Sequence, residues 1–202
     1  MRIISGKFKG KKLFSPKNQL IRPTSNRGKE TIFNTLTSIL LNEKRCFSKI
    51  KVLDCFCGSG ALGIESISRG SEKVYFIDSS QEAINLTKKN CFLITEYNQL
   101  NFLKLDLTNF KIDPINADLF FIDPPYNNVD IKKVLELLEK NKSINKKSIG
   151  VIEVPHNNKL DSFQGFHIIT TKKDSSSNFL FIEKNNYFLP NNLSMSLRFN
   201  ST

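Results

Sequence analysis

The sequence predicts an α/β fold on an open, mostly parallel sheet, and three observations predict it. From residue 50 onward, short apolar runs alternate with amphipathic ones, each pair separated by a turn. The step Gly58-Ser59-Gly60-Ala61-Leu62-Gly63 joins the first run to the first helix in the pattern G-x-G-x-x-G. Acids recur where apolar runs end, at Asp54, Asp78, Asp106 and Asp123, and an open sheet of this kind gathers its ligands at those strand ends.

The elements follow in chain order. Residues 2–15 alternate around Gly6 and Gly10, which predicts a short β-hairpin. If it is extended, Lys7, Lys9 and Lys11 share one face and Phe8 turns toward the body of the protein. Ile32, Phe33, Leu36, Ile39 and Leu40 recur at helical spacing, with Ser25 or Asn26 as the cap. Strands are expected at 50–54, 73–77, 100–105, 118–122 and 149–154, and helices at 61–68, 81–91 and 130–139. Phe166–Thr171 and Asn178–Glu183 read as an antiparallel pair closing the sheet edge. The expected boundaries are 1–48 for a basic hairpin, loop and helix, 49–184 for the sheet domain, and 185–202 for an Asn-rich tail without assignment.

Composition and charge narrow the classes. With 39% hydrophobic and 24% charged residues the chain is an ordinary globular one. No apolar run approaches the roughly 20 residues of a membrane span, and the start lacks the apolar core of a secretory signal. Cys46, Cys55, Cys57 and Cys91 form no C-x-x-C pair and lie far from His156 and His167, so neither a metal site nor a disulfide framework is expected. A reducing compartment, the cytoplasm, is the expectation. The formal net charge is +11, and residues 1–50 alone hold 12 basic against 2 acidic side chains. Lys outnumbers Arg 24 to 6, but compositional drift does not confine a surplus to one end. A solvated basic face, an anchor to an acidic membrane and a polyanion-binding arm are all open, with nucleic acid favoured.

The glycine loop alone suits nicotinamide, flavin or S-adenosylmethionine cofactors. Asp54 lies four residues before Gly58, where a carboxylate suits an amino group better than a pyrophosphate; the alternative is a helix or turn cap. Asp78 is set to accept from both hydroxyls of a ribose. Asp106 is either an adenine contact or a loop acid. The discriminating signal is Asp123-Pro124-Pro125-Tyr126 after the buried run 119–122. Two prolines fix the backbone and remove two donors, so the Pro124 carbonyl stands as an acceptor beside the Asp123 carboxylate. Two acceptors at one point are what a planar exocyclic amine requires, and Tyr126 offers a face for stacking its base.

With these motifs the sequence resembles class I S-adenosylmethionine-dependent methyltransferases, and most closely the RsmD family of 16S ribosomal RNA guanine-N2 methyltransferases. Residues 2–13, Arg22-Pro23-Thr24-Ser25-Asn26-Arg27 followed by 30–34, and the stretch 53–65 are similar to the family's signatures. The resemblance implies a Rossmann-like, seven-stranded, mostly parallel sheet with an antiparallel last strand, preceded by an N-terminal β-hairpin. It implies S-adenosyl-L-methionine as cofactor, with Asp54, Phe56, Gly58, Ser59, Gly60, Asp78, Ser79, Asp106 and Leu107 as its candidate contacts. Thr24 and Arg27 are expected to hold either the cofactor carboxylate or an RNA phosphate. Asp123, Pro124, Pro125 and Tyr126 are the candidate catalytic residues. Arg2, Lys7, Lys9, Lys11, Lys12, Arg22 and Lys29 are the candidate RNA contacts, and no metal is implied. Asn26 stands where the family usually has an acid. The expected partner is ribosomal RNA or the small ribosomal subunit, met by a monomer. The alternatives are a DNA adenine-N6 or cytosine-N4 methyltransferase, a nicotinamide oxidoreductase and a non-catalytic RNA-binding protein.

Overall fold

The computed structural model describes residues 1–16, 25–94, 99–125, 129–156, 162–174 and 177–185 of the 202-residue chain. Helix α1 (Asn26–Asn42) precedes β1 (Lys51–Cys55), α2 (Ala61–Ser68), β2 (Lys73–Asp78), α3 (Gln81–Cys91) and β3 (Leu100–Lys104). Then come β4 (Ala117–Ile122), α4 (Ile131–Lys140), β5 (Ile144–Pro155), β6 (Phe166–Lys173) and β7 (Ser177–Lys184). The sheet order is β3-β2-β1-β4-β5-β7-β6, with β7 antiparallel to both neighbours and the remaining pairs parallel. The expected seven-stranded sheet with one antiparallel strand is therefore the fold.

Strand residues alternate between two cores, as a pleated sheet covered on both faces requires. On one face Val52, Phe76, Phe121 and Phe181 meet Phe33 and Leu36 of α1, Ile64 of α2 and Ile84 of α3. On the other, Leu53, Ile77, Ile122 and Ile182 meet Val134, Leu135 and Leu138 of α4. Ile3 and Leu13 of the N-terminal segment belong to the first core, so that segment packs into the sheet's own interior.

One expectation is corrected. The N-terminal hairpin has a single antiparallel bridge at its base, Arg2 with Lys12, and turns and bends over 5–10 instead of strands. Lys7, Lys9 and Lys11 are exposed, but not through a period of two. The expected antiparallel pair does close the sheet edge, with β7 beside β5 and β6 outermost. The physical reason is side-chain composition. Phe179-Leu180-Phe181-Ile182 is buried on both faces, as an inner strand must be, whereas β6 carries Thr170, Thr171, Lys172 and Lys173, which suit an exposed edge. Asn26 at the start of α1 costs no cap, because the Ser25 side chain accepts from the Gly28 N–H at 2.8 Å.

Candidate active site

The strand order reverses between β1 and β4, and the register brings the candidate residues to that switch point. Cys55 pairs with Ile77 on one side and Ile122 on the other. The next residues, Phe56, Asp78 and Asp123, therefore leave the sheet at one level, with β2 and β4 about 10 Å apart across β1. A crevice at the carboxyl ends of such strands is where open α/β sheets bind ligands.

The glycine loop is a tight structure. Phe56, Gly58 and Gly60 take positive φ of 58°, 52° and 77°. Gly60 is the N-cap of α2, and its left-handed backbone with Thr87 behind it leaves no room for a side chain. Gly63 serves a different end: a Cβ there would lie 2.3 Å from the Phe76 ring, so α2 packs on β2 only through a bare Cα. The Cys57 N–H donates to Ile77 O at 2.9 Å and closes the loop on β2.

Asp54 is 2% exposed, and its Oδ2 accepts from the Gly63 N–H at 2.9 Å in the first turn of α2. The cap reading is thus realised, because Gly60 has no side chain to do the work. Its Oδ1 has no bond among the described residues. Burial pushes the Asp54 carboxyl up to about 7, against the pull of the Gly63 bond, and the nearby Asp78 charge adds to the rise. Such an acid is satisfied by a cation. Asp78 accepts from the Gly58 N–H (Oδ2, 3.0 Å) and the Ser80 N–H (Oδ1, 2.9 Å), which ties the loop to the start of α3. Each carboxylate oxygen keeps a further acceptor site.

Asp106 is exposed and its Oδ1 accepts from the Thr108 N–H and Oγ1 at 2.9 and 2.8 Å, bonds that hold its carboxyl below the usual range. The Leu107 side chain is turned into the second core, leaving only its backbone to meet a ligand. Ser59 is buried against Met1, and Ser79 is exposed beside Asp78. Asp123 and Pro124 are half-buried and Pro125 exposed at the end of β4. Tyr126, Arg22 and Thr24 lie outside the described residues. Arg27 is exposed, with its Nε 3.9 Å from Asp174.

Arg2, Lys7, Lys9, Lys11 and Lys12 are all exposed, as phosphate contacts must be. Lys29 is the correction. It is 0% exposed, and its Nζ donates to the Arg2 carbonyl, so it supports the basic segment from beneath. Burial lowers its pKa, opposed by the charge of Glu65.

Three side chains of this site were not singled out from the sequence. Thr87 Oγ1 donates to Gly58 O at 3.0 Å. Asn90 Nδ2 donates to Ser59 O at 2.9 Å and to Phe14 O at 3.0 Å, while its Oδ1 accepts from the Phe14 N–H at 2.7 Å. Buried Glu65 accepts from the Ile4 and Ser5 N–H groups at 2.8 and 3.0 Å and from Arg69 Nε at 3.0 Å. The available signal was a polar residue on a buried helical stripe: Ala83, Ile84, Thr87, Asn90 and Cys91 form one, and Glu65 sits in a helix buried on all sides.

A family model described as Conserved hypothetical protein 95 matches residues 1–183. Ribosomal RNA small subunit methyltransferase D of Buchnera aphidicola (subspecies Acyrthosiphon pisum) is 37% identical over 153 residues, 75% of this chain and 76% of that protein. The protein of the same name from Escherichia coli K12 is 33% identical over 143 residues, 70% of this chain and 68% of that one. A solved structure of a putative methyltransferase, yhhF from Escherichia coli, shares the fold with a TM-score of 0.76 at 23% identity, over 93% of this chain and 99% of that one.

Proposed function

The chain belongs to the Conserved hypothetical protein 95 family, that of the ribosomal RNA small subunit methyltransferase D proteins, and from that premise we propose that it methylates the exocyclic N2 amine of a guanine in 16S ribosomal RNA. The supporting observation is the position of Asp123-Pro124 at the end of β4, across the switch point from the glycine loop. S-adenosyl-L-methionine supplies, when bound, a methyl group on a sulfonium. The residues fit it. Asp54 offers a buried, half-partnered carboxylate to the amino group, and Gly58 and Gly60 let the backbone approach closely. Asp78 has acceptor capacity left for the ribose, with Phe56, Ser79, Asp106 and the Leu107 backbone around the nucleoside.

Asp123 and the Pro124 carbonyl accept the two hydrogens of the guanine amine. This orients a nitrogen whose lone pair is otherwise conjugated into the ring, so that it can attack. Asp123 then receives the proton that nitrogen releases after transfer, and Tyr126 stacks the flipped-out base. Arg2, Lys7, Lys9, Lys11, Lys12 and Arg22 hold phosphates, and Thr24 and Arg27 hold either a phosphate or the cofactor carboxylate. The test is incubation with labelled cofactor and, separately, undermethylated small subunits, bare 16S RNA and duplex DNA, followed by nucleoside mass spectrometry. N2-methylguanosine is the expected product; methylated adenine or cytosine in DNA overturns the reading.

The raised Asp54 gives a pH signature. The free folded protein holds this proton more tightly than the unfolded chain, so its stability falls as pH rises from about 4 to about 7. A cation bound at Asp54 favours the ionised form, which reverses the sign for the complex. Cofactor affinity is expected to rise several-fold from pH 6 to about pH 7.5, above which the cofactor's own amino group begins to lose its charge, with a proton released on binding at pH 6. Calorimetry in buffers of different ionisation enthalpy checks this, and Asp54→Asn should flatten the profile.

A further inference from the structure

We propose that Phe14 and the last turn of α3 form a stacking platform for an unpaired nucleotide of the RNA, a site distinct from the pocket for the methylated base. The proposal rests on the ribosomal RNA reading above and extends it. Phe14 is 43% exposed, and Phe92, just past α3, is 50% exposed. Lysines lie beside Phe14 and the end of α3. Lys89 Nζ lies 3.9 Å from the centroid of the Phe14 ring, Lys88 sits one residue before it on α3, and Lys11 Nζ donates to the Leu93 carbonyl. In sequence, no acid precedes Glu30, and none lies between Glu82 and Glu96.

An aromatic ring with an ammonium over its face matches the two halves of a nucleotide. The base stacks on the ring and the phosphate takes the ammonium. The backbone that carries the ring is also held in place. Asn90, buried completely, grips the Phe14 backbone by both its N–H and its carbonyl and grips the Ser59 carbonyl of the glycine loop with the same amide nitrogen. A nucleotide on Phe14 is thereby fixed in register with the cofactor loop. A membrane surface would use the lysines equally well, but it gives no reason for an aromatic residue whose backbone is tied through Asn90 to the glycine loop.

The test is fluorescence anisotropy of the full chain with a labelled single-stranded 12-mer RNA over a salt series, alongside anionic phospholipid vesicles and cofactor titration. Phe14→Ala and Phe14→Leu are expected to weaken RNA binding about tenfold, with Phe14→Tyr restoring it. Lys89→Ala is expected to reduce the salt slope by about 0.7, the share of one single-strand phosphate. Cofactor affinity should remain unchanged in all four. The proposal is overturned if Phe14→Leu binds RNA like the wild type, or if the patch prefers vesicles to RNA. Wild-type methylation of 16S RNA is measured separately. Activity there with no dependence of RNA binding on Phe14 overturns the platform alone. A Phe14 dependence without methylation upholds the platform and overturns the functional reading instead.

Discussion

Asp123→Ala is expected to lower kcat for methyl transfer by roughly 10²–10³-fold or more, while the cofactor Kd stays within about twofold. The separation follows from where the residue sits. The glycine loop, the proposed cofactor site, follows β1 and is braced by Asp54 on Gly63, Asp78 and Thr87 on Gly58, and Asn90 on Ser59. Asp123 leaves β4 on the other side of the switch point. Its loss therefore removes an acceptor from the amine without touching the cofactor's contacts. Asp123→Asn should fall between, since it keeps one acceptor oxygen and turns a donor toward an amine hydrogen. Single-turnover rates with labelled cofactor, set beside calorimetric cofactor binding, check both variants. Near-normal turnover in the alanine variant ends the assignment of Asp123 as the residue that holds the amine.

What was legible in the sequence was periodic or contiguous. The α/β alternation, the glycine step and the Asp123–Pro125 turn are local patterns, and local patterns are what a single sequence displays. The lysine at position 29 shows the limit. In composition it belongs to a basic arm, yet it is buried because Glu65 and the Arg2 carbonyl, 36 and 27 residues away, receive it. Asp54 shows another. Sequence offers a ligand group or a cap as alternatives, whereas Gly60 as N-cap leaves the helix without a capping side chain, so one oxygen of the strand acid caps it and the other remains for a ligand. The antiparallel edge pair is legible in its spacing, and the order of its two strands is readable as well. Four consecutive apolar residues in β7 against threonines and lysines in β6 distinguish an inner strand from an edge, a comparison of faces that strand spacing alone does not make.

Glu65→Ala is expected to cost about 3–5 kcal/mol of stability, a large part of what a domain of this kind has, and to release the N-terminal segment. Glu65 is 0% exposed and carries three bonds, two of them to the backbone of residues 4 and 5. It is also the carboxylate facing Lys29, whose ammonium is buried beneath Arg2. Alanine leaves two N–H groups unpaired and a buried cation without its counter-charge, so the lysine must either lose its proton or reach water by displacing residues 1–16. The second outcome removes Arg2, Lys7, Lys9, Lys11 and Lys12 from their fixed positions, and RNA affinity falls with stability. Urea unfolding and limited proteolysis of residues 1–16 measure the two effects. A double variant separates the causes: adding Lys29→Met to Glu65→Ala removes the orphaned cation and should recover part of the loss, because a buried charge without a partner costs more than an apolar side chain of similar length. If the double variant is less stable than Glu65→Ala alone, the lysine holds the segment through its bond to Arg2 more than it is held by the glutamate.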